Sequence, residues 1–256
     1  MREAAEPADY ILTTEGLTKA FAGFIAVRNV DLKVRRGAIH ALIGPNGAGK
    51  STCFNLLTKF LAPTRGRISY NGRDITGLEP AEISRLGLVR SFQISAVFPH
   101  LSLVDNVRVA VQRERGDSFD FWRPASVLSR LDRRAHELLD AVGLAPWAGM
   151  LAGALPYGRK RALEIATTLA LEPEMMLLDE PTSGMTAEDV QRVAELIRRA
   201  AAGRTVLMVE HNLSVVSRLS DRITVLARGE ILAEGNYEEV SRDPRVIEAY
   251  IGTGHG

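Results

Sequence analysis

Eight residues, Gly44-Pro-Asn-Gly-Ala-Gly49-Lys50-Ser51, leave this chain few folds to choose from. They fit the pattern G-x-x-x-x-G-K-[ST], and they stand between an apolar run, Ala38-Ile-His-Ala-Leu-Ile43, and a helical pattern that continues through Phe60. A strand that turns on glycines into a helix forms a cradle for phosphate, because successive backbone N–H groups converge there. Gly47 and Gly49 give the backbone its freedom, Asn46 and Ala48 add intervening amides, and the helix start at Lys50, Ser51 and Thr52 carries about half a positive charge. Lys50 adds a full charge, and the Ser51 hydroxyl suits Mg2+. A glycine turn that merely capped a helix would have no need of Lys50.

A second apolar run, Met175-Met-Leu-Leu178, ends in Asp179-Glu180. Two carboxylates therefore sit at the carboxyl end of a strand, where open α/β sheets bind their ligands. Asp179 would hold a metal through water, while Glu180, facing the outermost phosphate, would orient and deprotonate an attacking water. His211 follows a third run, Thr205-Val-Leu-Met-Val209, and can emerge at the same sheet edge as a donor to that phosphate. The competing readings are an acidic strand end that caps the next helix and a histidine that simply lies on the surface.

Strand and helix patterns alternate around these points. Tyr10 to Val34 reads as two or three strands, and Arg67 to Ile75 as a hairpin turning on Asn71-Gly72. From Leu101 to Leu171 the periodicity is helical, with no convincing strand; a helix is predicted over 187–202, another from Leu213, and short strands over 222–226 and 230–234. Alternation of this kind predicts an α/β fold with a mostly parallel sheet and helices on both faces. The helical stretch reads as an insertion, 95–171, into a core made of 1–94 and 172–256. A net charge of +1 over 256 residues lacks the basic balance of a dedicated nucleic-acid binder, so no nucleic acid is expected as partner. The single cysteine, Cys53, excludes an intramolecular disulfide and reads as a small packing residue. No apolar run approaches the ~20 residues that span a bilayer, and the first residues have no secretory pattern.

With these motifs in this order, the chain resembles the ATP-binding subunit of an ABC (ATP-binding cassette) transporter from Tyr10 to Ile251. The resemblance implies the fold of an ABC ATPase: a P-loop NTPase core, an antiparallel β subdomain and an inserted helical subdomain. It implies ATP and Mg2+ as ligands. It places Phe21 on the adenine ring with Val27 against the ring's edge, although Phe24 competes and Phe21 also reads as a buried strand aromatic. It gives Gln93, in Val89-Arg-Ser-Phe-Gln93, a contact to Mg2+ and the link between core and helical subdomain. Where the family signature usually reads Leu-Ser-Gly-Gly-Gln, this chain has Leu155-Pro156-Tyr157-Gly158-Arg159. Pro156 offers neither hydroxyl nor N–H to a phosphate. Arg159 could replace some of the lost attraction; with Lys160 and Arg161 it reads instead as a solvated charged face. Thr186 stands where the dimer-contact loop commonly has Asp or Asn.

Two such subunits meet head to tail, each nucleotide lying between one phosphate loop and the other subunit's signature. The weak signature implies an unlike pair, with a homodimer as the alternative. Coupling then runs to transmembrane permease subunits, with a solute-binding protein outside the cell as an indirect partner and the cytoplasmic face of the inner membrane as the location. Phe119, Phe121 and Trp122, near Arg113 and Arg115, read either as part of a docking surface or as subdomain core. Val89-Arg-Ser-Phe-Gln93, Tyr157-Gly158 and the ending Asp243-Pro-Arg-Val-Ile-Glu-Ala-Tyr-Ile251 are similar to the ATPases of branched-chain amino-acid importers. A lipid or lipopolysaccharide exporter ATPase and a soluble ATP-gated clamp are the alternatives.

Overall fold

The computed structural model describes residues 9–91, 97–114 and 125–251. The first part of the chain forms β1 (Tyr10–Phe21), β2 (Phe24–Val30), β3 (Lys33–Arg35), β4 (Ile39–Ile43), α1 (Lys50–Leu57), β5 (Arg65–Tyr70), β6 (Arg73–Asp74), α2 (Pro80–Arg85) and β7 (Leu88–Ser91). Helices α3 (Leu103–Glu114), α4 (Ala125–Ala141) and α5 (Tyr157–Leu169) follow, with two short 3-10 turns between the last two. The chain then returns to alternation with β8 (Met175–Asp179), α6 (Ala187–Ala200), β9 (Thr205–Val209), α7 (Leu213–Leu219), β10 (Arg222–Ala227), β11 (Glu230–Gly235), α8 (Tyr237–Ser241) and α9 (Pro244–Ile251).

Two sheets result. The smaller is antiparallel, ordered β2-β1-β5-β6 with β3 also on β1. The larger is ordered β11-β10-β4-β9-β8-β7, parallel from β10 to β7 with β11 antiparallel at one edge. Its central strands are buried throughout, as expected of a parallel sheet covered on both faces. Side chains alternate between two apolar clusters with the period of the pleat. Ile39, Ala41, Ile43, Met176, Leu178, Val206 and Met208 face α3 to α7, whereas Leu42, Met175, Leu177, Leu207 and Val209 face α1 and the antiparallel sheet.

The hairpin at Asn71-Gly72 forms as predicted, with both residues at positive φ (50° and 73°). Helix α1 is shorter than the pattern through Phe60 suggests. Thr58 caps it and Lys59 adopts φ 61°, so the chain turns away before Phe60, which is left exposed. Helix α6 stops at Ala200 rather than 202, and the small C-terminal helix is two, α8 and α9. Cys53 is fully buried, as a packing residue should be, and burial pushes its thiol up to about 12, leaving it inert. Gln93, Arg115, Phe119, Phe121 and Trp122 lie outside the described residues, and of the Arg113 side chain nothing is described.

Candidate functional site

The loop between β4 and α1 is shaped from below. Gly44, Gly47 and Gly49 all adopt positive φ, and a Cβ on Gly49 would meet the Ala26 carbonyl at 2.4 Å. Val27 lies under the same glycine, fully buried, so it supports the loop rather than presenting a surface to a ring. Gly49 is the N-cap of α1 and no side chain caps the helix, so its first amides remain available to an anion. The Lys50 ammonium donates to the carbonyls of Gly44 (2.7 Å) and Pro45 (2.9 Å), which holds it across the loop. Burial pushes its pKa down while the nearby Glu180 carboxylate opposes the shift. Loop and acid are therefore on one side of the molecule.

The strand ends explain why. Asp179 on β8 is level with Val209 on β9, and the Glu180 amide donates to the Val209 carbonyl at 2.9 Å. Glu180 adopts φ 46°, a left-handed conformation costing a non-glycine residue ~1 kcal/mol, which bends the chain out of the strand as it leaves the sheet. Ser51, Asp179, Glu180, Ser183, Tyr157 and Arg161 line one cleft of about 320 Å³.

His211 follows β9 at the same edge but is exposed and does not line that cleft. Its backbone amide is tied down by Glu210, which composition and spacing did not single out. Glu210 is fully buried and accepts from the amides of Thr182 (3.0 Å), His211 (2.9 Å) and Asn212 (3.0 Å) and from the Thr182 hydroxyl. One carboxylate thus joins the turn after Glu180 to the turn carrying His211. The sequence signal is an acid directly after a largely apolar strand, which by itself cannot be told from a solvated cap.

Phe21 and Phe24 face one another at the β1–β2 turn, and both are exposed (42% and 67%), which removes the buried-aromatic reading. Lys19 lies over the Phe21 ring at 5.1 Å. In the signature region Pro156 is the N-cap of α5, again with no side-chain cap. Tyr157 borders the cleft, its hydroxyl accepting from Arg161 at 3.0 Å, while Gly158 packs against Asp189 of α6, where a Cβ would meet that side chain at 2.9 Å. For Arg159 and Arg161 the charged-face reading is corrected. Arg159 stacks on the Trp147 ring at 3.8 Å, and Arg161 is largely buried and pairs with Glu164 at 2.9 Å. Thr186 caps α6, accepting from the Asp189 amide.

The ABC transporter family profile matches residues 27–183. The chain belongs to the ABC transporter family. As an ATP-binding cassette it is an ATPase, and a profile described as branched-chain amino acid ATP-binding cassette transporter covers residues 230–256. It is 40% identical over 251 residues to the high-affinity branched-chain amino acid transport ATP-binding protein BraF of Pseudomonas aeruginosa, covering 94% of this chain and 98% of BraF. The high-affinity branched-chain amino acid transport ATP-binding protein LivG of Escherichia coli K12 is 38% identical over 252 residues, with the same coverages. Among solved structures, an ATP-binding cassette of an ABC transporter in its ADP conformation superposes with a TM-score of 0.82 at 31% identity, covering 95% of this chain and 99% of that one. A dimeric bacterial ABC transporter cassette gives 0.73 at 25% identity, covering 88% and 98%.

Proposed function

We propose that this chain is the ATP-hydrolysing motor of an importer of branched-chain amino acids or related small solutes, acting as one of two cassettes on membrane-spanning permease subunits. The observation that carries the chemistry is the single cleft shared by Ser51, Asp179 and Glu180, with Lys50 close enough to feel the acid. The branched-chain amino acid transport function of these relatives and the match over residues 230–256 favour the importer over an exporter or a soluble clamp.

In this reading the uncapped amides of α1 take the phosphates, with Asn46, Gly47, Ala48 and Gly49 wrapping them and Thr52 in the first helical turn. Lys50 exchanges its two carbonyl partners for phosphate oxygens. Glu180 orients a water and takes its proton; His211, held by its Glu210-bound backbone, donates to the outer phosphate. The oxygens of Ser51 and Asp179 suit Mg2+, with Gln93 as a further contact. Bound there, Mg2+ would neutralise charge developing between the phosphates.

Phe21 stacks on the adenine from the exposed end of the hairpin. Pro156, Tyr157 and Gly158, with Arg159 behind them on Trp147, face the partner cassette's nucleotide. Because Pro156 brings no donor, the partner is an unlike cassette with a more complete signature. Between the turn after α1, α2, β7, α3 and α5 runs a second cavity, about 560 Å³, lined by Phe60, Ile83, Phe98, Val109 and Leu171 among others. It is the place for a cytoplasmic helix of the permease. None of the described helices is long and apolar enough to cross a membrane. In this reading the chain attaches to the cytoplasmic face of the inner membrane through that contact.

The test is purification from membranes. Permease subunits and a second cassette should co-purify, and the complex should hydrolyse ATP with Mg2+. A chain that leaves the membrane alone and ignores ATP with Mg2+ would refute the proposal.

A further inference from the structure

A buried guanidinium stands behind the strand end that carries Asp179. Arg90, on β7, has a side chain only 4% exposed, and its Nη2 donates to Asp179 Oδ2 at 2.5 Å. Nη1 donates to Asn55 Oδ1 (2.7 Å) and Thr58 Oγ1 (3.2 Å), at the far end of the helix that begins with Lys50. The guanidinium also lies 5.5 Å from the Phe54 ring and 5.7 Å from Phe60. One planar cation thus ties α1, β7 and β8 together. It lines the large groove on one side, and its carboxylate partner lines the nucleotide cleft on the other. Among the described residues Asp179 Oδ1 has no hydrogen bond of its own, so the pair leaves one oxygen to the cleft.

We infer that Arg90 is a positioning residue for the metal step: it fixes the orientation of Asp179 and, by half-neutralising that carboxylate, limits how strongly bound nucleotide and Mg2+ reinforce each other. The inference rests on the nucleotide site proposed above. Its physical basis is proximity. A full positive charge at hydrogen-bond distance offsets much of the attraction that a bare carboxylate would exert on a divalent ion, and burial keeps water from screening it. The fork geometry adds direction, since two donors anchored on α1 leave the third to aim the carboxylate.

The equilibrium measure is the ratio of the ADP dissociation constants in EDTA and in Mg2+, which is the coupling between metal and nucleotide. Arg90→Gln should raise that ratio roughly ten-fold, because the compensating charge is gone. Arg90→Lys, which keeps the charge and loses the fork, should leave it within about two-fold of wild type while ATP turnover falls. Phe60→Ala, at an exposed position whose loss does not threaten folding, lets water reach the guanidinium and should raise the ratio roughly two-fold. The inference is overturned if Arg90→Gln melts like the wild type and shows the wild-type ratio, or, should that variant not fold, if Phe60→Ala leaves the ratio unmoved. A rise in Arg90→Lys as large as in Arg90→Gln overturns the role of charge. Wild-type protein that binds no ADP at all would refute the nucleotide site itself.

Discussion

Two uncapped helix starts, Gly49-Lys50 at α1 and Pro156-Tyr157 at α5, look alike as backbone and differ in what surrounds them. At α1 the neighbours are groups that ligand chemistry needs: an ammonium strung between two carbonyls, a hydroxyl, and two carboxylates delivered by β8. At α5 the side chains mostly answer to packing within this chain, with Arg159 on Trp147, Arg161 on Glu164 and Tyr157, and Gly158 against Asp189 of α6. A helix N-terminus becomes a phosphate site through the charges assembled in front of it. The dipole alone, common to both, does not separate them.

Breaking the first region should give the largest effect. Glu180→Gln keeps the fold and the phosphate contacts while removing the group that takes a proton, so ATP turnover should fall by about 10²–10⁴-fold with ATP binding intact, measured by phosphate release and equilibrium binding. Removing the brace behind that region comes next. Glu210→Ala would orphan three amides and a hydroxyl in a fully buried position, and denaturant unfolding should show a loss of about 3 kcal/mol. A surface role for Glu210 would leave the midpoint within a few tenths.

How much of this could be read beforehand divides along the same line. The phosphate loop, the strand ends and the Asn71-Gly72 turn were legible because local chemistry dictates them: glycines take positive φ, and short, mostly apolar runs bury on both faces. The reverse error is also local. The helical pattern runs through Phe60, whereas Lys59, no glycine, adopts the left-handed turn that ends α1, and α2 is too short for periodicity to reveal although Glu79-Pro80 and Glu82 spell a capping box that the structure forms. Arg90 with Asp179 and Glu210 with Thr182 join residues 89 and 28 positions apart. Charges on apolar strands advertise nothing about such partners until the sheet order β7-β8-β9 brings them together.

A smaller effect tests the floor of the first region. His40, on the strand that leads into the phosphate loop, is fully buried with Nε2 at 2.8 Å from the Thr224 hydroxyl, and burial pushes its pKa down to about 3. Below pH 6.5 the unfolded chain takes up a proton here that the folded chain refuses, so stability from this group is complete above 6.5 and is lost as pH falls toward 3. Between pH 6.5 and 5 the loss should be about 2 kcal/mol, read from denaturant midpoints. His40→Leu should flatten that part of the profile, whatever its effect on stability at neutral pH.

The smallest effect addresses the second region directly. If Arg159 is held for the sake of Trp147, replacing either partner removes the same contact. Arg159→Gln and Trp147→Leu should then share a stacking contribution of about 0.5–1 kcal/mol, and the double variant should be more stable than the sum of the two losses by that amount. ATP turnover of the assembled pair should change little in Arg159→Gln, because a guanidinium 3.8 Å from an indole ring is already engaged within its own subdomain. If instead the arginine leaves the ring to meet the partner's phosphate, Arg159→Gln would lower turnover severalfold while Trp147→Leu would not, and the cycle would show no coupling in stability. The same side chain cannot satisfy both patterns, so the two readouts together decide whether the start of α5 owes its charges to its own fold or to a nucleotide held by another chain.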